Sequence, residues 1–464
     1  MRWALCVLAF LLPHPPCPQA EQPFPKLENG KILPRIECAA QPNQTYALYL
    51  PSNYSPDRQW PLILSSDPGG RGTVPLELQK AAAEERGYVL AASNNSRNGP
   101  GKERFEATQA TLADVQQRVS IDTRRVYFAG FSGGARFSSQ IALMCRCAAG
   151  VLLSGAGFSN GQSPAADGSF PVYSAVGVTD FNYSEVIPLQ DALAKAGYPH
   201  WLRVFDGSHE WAPAEVMAEA LAWFRIEAIK AGREPRDQAF LDAEFAKMQA
   251  RANSFEQSGD LLWASREYEQ IASTFTGLEN IEPVKAKVGA LDNQKAFHEA
   301  LKREQNEFAE QAQLTGQITS HIDFSKEDAD QRFEAKAEVN DLITRLRLNA
   351  QQEKRVEKAR VYQRALGGVF IGAIEGGSGA LDQKNYESAV RFYGIATQAK
   401  PDSEWAWRQF SVASALAGKK KDAVKALRKT HDLAADKAAF ARWLQSEPAF
   451  EAIKSSTEFE ALLQ

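Results

Sequence analysis

The stretch Arg125-Val126-Tyr127-Phe128-Ala129-Gly130-Phe131-Ser132-Gly133-Gly134 decides how the first half of this chain is read. A run rich in β-branched and aromatic residues leads into Gly130, Gly-Phe-Ser-Gly-Gly follows, and residues 135–144 carry a helical pattern. Strand, sharp turn and helix form the setting in which G-x-S-x-G marks a nucleophile elbow. Ser132 is then expected on a strained turn with its hydroxyl aimed out of a sheet. Gly130 and Gly134 lack Cβ atoms, so strand and helix can close around it.

Outward from the elbow, strand-like and helix-like segments alternate. Residues 45–50, 61–65 and 88–92 read as strands, with helices over 75–86 and 106–119. Beyond it, strands are expected over 150–154, 171–178 and 201–205, and helices over 186–196 and 214–229. Repeated βα alternation implies a largely parallel sheet covered by helices on both faces. Active groups in such a sheet belong on loops at the carboxyl ends of the strands.

A serine hydroxyl needs a base to take its proton. His209 follows the last strand, in Asp206-Gly207-Ser208-His209-Glu210-Trp211, on the required edge, whereas His200 precedes that strand and reads as a surface or packing residue. Asp180 follows the preceding strand and is the expected acid; Asp206 competes for that role but reads as a turn residue. Ser132, Asp180 and His209 stand in the chain order Ser…Asp…His. In this scheme Asp180 orients His209, which activates Ser132. A tetrahedral intermediate also needs backbone donors. The N–H of Gly133 is one candidate. The second is expected from Ser66-Asp67-Pro68-Gly69-Gly70-Arg71-Gly72, where Pro68 has no N–H and Gly69 or Gly70 must serve, the alternative being a plain glycine turn. Asn94, Asn95, Arg97 and Asn98 follow a strand on the same edge and are candidate substrate contacts or loop formers. Trp211 either walls the acyl pocket or packs under the last helix.

These residues carry a resemblance. Residues 39–229 resemble a secreted α/β-hydrolase esterase, most similar to the group of polyhydroxybutyrate-depolymerase-like, feruloyl and carboxylesterase enzymes. The matching stretches are Tyr46-Ala47-Leu48-Tyr49-Leu50-Pro51-Ser52-Asn53-Tyr54, the elbow, and Gly207-Ser208-His209-Glu210-Trp211-Ala212-Pro213. The resemblance implies ester hydrolysis through an acyl-enzyme, without metal or cofactor. Asp67-Pro68 departs from the group's usual His-Gly.

A chain of 464 residues is long enough for two or three domains. Its net charge of −4 gives no reason to expect nucleic acid as a partner. Arg2, the short apolar run 3–12 and a Pro-rich stretch ending in the small residue Ala20 read as a signal peptide over residues 1–20, its apolar run too short to span a bilayer comfortably. A secreted or periplasmic location and no membrane span in the mature protein are expected. Export makes a disulfide between Cys38 and either Cys145 or Cys147 an expectation, with buried free thiols the alternative. The Cys pairs lack metal-ligand spacing.

After about residue 233 strand signals stop and Ala, Glu, Lys, Gln and Leu dominate. Ala389 and Ala423 lie 34 residues apart, with Tyr393 and Leu427 at the equivalent large position, so residues 233–464 resemble a tetratricopeptide-type helical domain. Gly259, Ala264 and Tyr268 fit that template more loosely. Gly367-Gly368 and Gly376-Gly377-Ser378-Gly379 are expected to break the helices. The whole reads as an α/β-hydrolase fold over 21–232, then an all-α tetratricopeptide-like domain that offers a groove for a protein or peptide partner. The function expected is serine hydrolysis of carboxylic esters. The alternatives are a binding scaffold with a catalytically weak hydrolase, and a serine peptidase.

Overall fold

The strand that ends at the elbow lies inside a mixed sheet of eight strands among the described residues. A computed structural model describes residues 27–99, 101–159, 164, 170–322 and 336–463; the expected signal peptide lies outside them. The chain divides into two units, Met1–Arg303 and Glu304–Gln464. In the first, the order of elements is β1 (Ile32–Cys38), β2 (Gln41–Tyr49), β3 (Trp60–Ser66), α1 (Thr73–Arg86), β4 (Val89–Ser93), α2 (Gly101–Arg118), β5 (Ile121–Phe131) and α3 (Gly133–Cys145). There follow β6 (Gly150–Ser154), β7 (Val172–Gly177), α4 (Tyr183–Lys195), β8 (His200–Phe205) and α5 (Ala214–Lys230).

The strand order is β1-β2-β4-β3-β5-β6-β7-β8. Strands β3 to β8 pair in parallel, and β2 runs antiparallel to β1 and β4. This is the expected α/β-hydrolase fold. Strands β3, β4, β6 and β7 are buried along their whole length, because helices cover both faces of a parallel sheet. Strand β1 has no counterpart among the strands expected from sequence. It carries Pro34, which removes a ladder donor and is tolerated because β1 is the sheet's edge.

The first unit does not end where the sequence suggests. Beyond Gly232 come α6 (Gln238–Gln257), α7 (Leu261–Phe275) and α8 (Glu282–Asp292), and Leu241, Met248, Ala264, Tyr268, Ile271 and Phe275 share one apolar core with α5 and a face of the sheet. Helix α5 is sandwiched: Phe224 stacks on Tyr127 of β5 with ring centroids 4.7 Å apart, while Trp223 Nε1–H donates to Thr274 Oγ1 of α7 at 3.0 Å. The free edge of β8 is covered as well, since Leu202 N–H donates to the Gln270 side chain of α7. Gly232 does lie in the left-handed region after α5, but the turn joins elements of one core.

Cys145 and Cys147 form a disulfide with each other at the end of α3, instead of one of them pairing with Cys38. Cys38 is a free thiol buried at the end of β1. Burial and the nearby Asp114 carboxylate push it up to about 11.

In the second unit the expected break at the glycine clusters does not occur. A single helix, Val356–Asp382, runs through Gly367-Gly368 and Gly376-Gly377. It packs on Tyr386–Ala399, and the chain continues by neighbouring pairs through Glu404–Leu416 and Lys420–Leu433. A Cβ on Gly376 would stand 2.6 Å from the Phe392 ring, and one on Gly377 would stand 2.7 Å from the Tyr393 ring. These two glycines are therefore the seats of aromatic side chains from the next helix. Ala389, Ala423 and Leu427 are fully buried, with Tyr393 nearly so. Among the described residues no helix is long and apolar enough to cross a membrane.

Candidate active site

Ser132 occupies the turn between β5 and α3 with φ 53° and ψ −121°, a region that non-glycine residues avoid. The surroundings enforce it. Ser132 N–H donates to Ser154 O of β6 at 2.9 Å. A Cβ on Gly130 would meet Gly134 backbone at 2.2 Å, and one on Gly134 would meet Ser66 O at 2.0 Å. The two outer positions of the motif therefore admit glycine alone, and the strained serine is held between them.

His209 Nε2 lies 2.9 Å from Ser132 Oγ. Its Nδ1 lies 2.9 and 3.0 Å from the two carboxylate oxygens of Asp180. A carboxylate at Nδ1 places the ring proton there, and Nε2 is left to accept from the serine hydroxyl. Three loops at the carboxyl ends of β5, β7 and β8 thus deliver the three residues to one place. Backbone bonds hold the last two loops together: Val178 N–H donates to Phe205 O at 2.9 Å, and Thr179 N–H to Gly207 O at 3.0 Å. The imidazole is also flanked by the rings of Phe131 and Phe181, with centroids 4.7 and 4.4 Å away.

Asp180 is fully buried. Burial raises its carboxyl above the ordinary value, and the hydrogen bonds from His209 and from Asn182 N–H, the latter 2.8 Å long, oppose that rise. Asn182 is itself fixed, since its Nδ2–H donates to Gly155 O at 2.7 Å. Asp206 is exposed and makes no contact with His209 among the described bonds. His200 points away, with Nδ1 2.8 Å from Tyr198 O.

The loop after β3 differs from expectation. Asp67 is fully buried and gathers donors: Gly69 N–H at 2.8 Å, Arg71 Nε–H at 2.9 Å and Trp211 Nε1–H at 2.9 Å. Burial alone would raise its carboxyl, but the bonds from Arg71, Trp211 and Gly69 outweigh it and hold the group below the usual range. Gly70 N–H turns back to Asp67 O at 3.0 Å. Gly69 and Gly70, expected as oxyanion donors, thus spend their N–H groups on Asp67. The sign in the sequence was Asp67-Pro68-Gly69-Gly70 itself, a tight-turn pattern in which an Asp accepts from the backbone two residues on. Gly133, as the first residue of α3, has no intrahelical acceptor for its N–H.

Trp211 is buried against Phe131, with centroids 5.7 Å apart, and its bond to Asp67 ties the histidine loop to the loop after β3. Asn94 is a loop former: its Oδ1 accepts from Gly72 N–H at 3.2 Å, and its Nδ2–H donates to Pro34 O at 3.1 Å. Arg97 is exposed, with its Cβ near Gly70.

No protein-family model matches the chain, and no curated protein does. Solved structures overlap its first part. S-formylglutathione hydrolase from Staphylococcus aureus is 15% identical, covering 39% of this chain and 90% of its own, with a TM-score of 0.34. Est1E from Butyrivibrio proteoclasticus is 14% identical over 43% of this chain and 99% of its own, with a TM-score of 0.34. The feruloyl esterase module from Clostridium thermocellum complexed with sinapinate is 16% identical, over 45% and 88%, with a TM-score of 0.34.

Proposed function

We propose that this protein is a serine hydrolase that cleaves carboxylic esters through an acyl-enzyme. The observation that carries the reading is the continuous hydrogen-bond line from Ser132 Oγ through His209 to the buried Asp180. In the first step His209 Nε2 takes the Ser132 proton as Oγ attacks the ester carbonyl. Asp180 stabilises the imidazolium and stays ionised. His209 then gives the proton to the leaving alcohol, and water repeats the sequence in reverse on the acyl-enzyme. No cofactor takes part in this scheme.

The test is fluorophosphonate labelling and hydrolysis of a short-chain aryl ester. Wild type should label and turn over, while Ser132→Ala should lose the label and several orders of magnitude in rate with its circular dichroism unchanged. Equal turnover in Ser132→Ala sinks the proposal. One observation favours the rival scaffold reading, namely that Gly69 and Gly70 are engaged by Asp67. An unlabelled, folded wild type would support it.

The remaining features complete the proposal. The charged, apolar and small-residue pattern over residues 1–20 supports export to a secreted or periplasmic location. The paired helices of Glu304–Gln464 support a tetratricopeptide-like surface for a protein or peptide partner.

A further inference from the structure

An ester hydrolase needs two donors on the developing oxyanion, and this inference rests on that reading. Gly133 N–H supplies one. The loop after β3, where the second was sought, supplies none. Gly69 and Gly70 N–H are bound to Asp67 at 2.8 and 3.0 Å, Arg71 N–H to Asp67 Oδ1 at 3.3 Å, and Gly72 N–H to Asn94 Oδ1 at 3.2 Å. Pro68 has no N–H. Every backbone position from 68 to 72 is therefore spent.

The next loop reaches Gly133. Asn98 N–H donates to Pro68 O at 2.8 Å, which pins residue 98 beside the β3 loop. Its carboxamide lies against the first donor residue: a Cβ on Gly133 would stand 2.2 Å from Asn98 Oδ1 and 2.7 Å from Nδ2. No group among the described residues hydrogen-bonds that carboxamide. A half-turn about its last bond exchanges oxygen and nitrogen, so an N–H can face the position beside Gly133 N–H.

We propose that the Asn98 side-chain amide is the second oxyanion donor, taking the place of a glycine N–H from the loop after β3. As the ester carbonyl becomes tetrahedral, its oxygen would receive one bond from Gly133 N–H and one from Asn98 Nδ2–H. Asp67 then has a separate task, which is to hold the β3 loop and the histidine loop together through Arg71 and Trp211.

The test uses the full-length protein, a short-chain aryl ester, and the Asn98→Ala and Asn98→Asp variants. Removing one such donor costs about 10²–10³-fold in kcat. Asn98→Ala should show that loss with little change in KM, because the donor acts mainly after the carbonyl becomes an oxyanion. Asn98→Asp keeps the shape and reverses the electrostatics, so it should be at least as slow as Asn98→Ala. Asn98 is exposed, and neither change should alter the melting temperature. A kcat for Asn98→Ala within about threefold of wild type, or an Asp variant faster than the Ala variant, overturns the proposal. In either of those cases Ser132→Ala would still be inactive, which separates this failure from that of the hydrolase reading.

Discussion

Arg251 tests whether the helices beyond Gly232 are part of the folding unit that carries the candidate site. It sits on α6, 17% exposed, between two carboxylates. Nη1 donates to Glu219 of α5 at 2.6 Å, and Nε and Nη2 donate to Glu267 of α7 at 3.0 and 2.9 Å. Burial works against its charge, yet Glu267 and Glu219 hold it above the ordinary arginine value. Arg251→Met keeps the bulk and removes the charge. Breaking a buried pair from one side typically costs 3–5 kcal/mol, because the other charge stays buried. The low end applies, since Glu219 keeps Arg203 at 3.3 Å while the Glu267 side chain, 3% exposed, loses its cation. At roughly 2 °C per kcal/mol for a unit of this size, about 3 kcal/mol lowers the melting temperature by about 6 °C. Burial already raises the Glu267 carboxyl above its ordinary value. The variant's deficit should therefore shrink at acidic pH as Glu267 takes a proton, and Glu267→Gln should recover much of it. The assay is residual aryl-ester hydrolysis after heating, alongside near-ultraviolet circular dichroism, at pH 5 and pH 8. If activity survives to the wild-type temperature in Arg251→Met, the helices are an appendage and the reasoning fails.

Glu227, buried on α5, is raised from 4.5 to about 7 by burial, with Lys230 opposing. Its neutral form is favoured in the fold, so its contribution is full below pH 4.5 and is lost as pH rises through about 7, a change of about 3 kcal/mol. Glu227→Gln should match wild type in thermal melts at pH 4.5 and exceed it by up to that amount at pH 8; a gap independent of pH would refute the assignment. A chain ending at Gly232 should aggregate, because it bares Trp223 and its neighbours, whereas one ending at Asp292 should be monodisperse by size exclusion and hydrolyse the aryl ester. A soluble and active 232-residue chain would contradict this partition.

The sheet was legible because its strands are short apolar runs between helical patterns, and Ser132, Asp180 and His209 because each closes such a run in a fixed order. The boundary was not. Periodicity shows that a face of α5 is apolar, not what covers it, yet Trp223 and Ile226 beside Leu221 and Phe224 make that helix apolar all round, the mark of one buried on both sides. Strand β1 was hidden by Pro34, which speaks against a central strand but not against an edge. The fate of Gly69 and Gly70 was open, because an Asp-Pro-Gly-Gly run allows a free glycine donor as well as the turn found, in which Gly69 N–H binds the Asp67 carboxylate and Gly70 N–H the Asp67 carbonyl. In the long glycine-containing helix, packing overrides propensity, since local preference is a weak prior beside the burial of aromatic rings.

That helix has a consequence for how the second unit is assembled. Val356–Asp382 contains six glycines, each costing about 0.8–1 kcal/mol relative to alanine, or about 5 kcal/mol in all. Left alone, its C-terminal half has little reason to be helical. It becomes so when Phe392 and Tyr393 settle onto Gly376 and Gly377, which a helix of larger residues would deny them. Order in this stretch is thus borrowed from its neighbour, and the two helices should gain and lose their amide-exchange protection together rather than in turn.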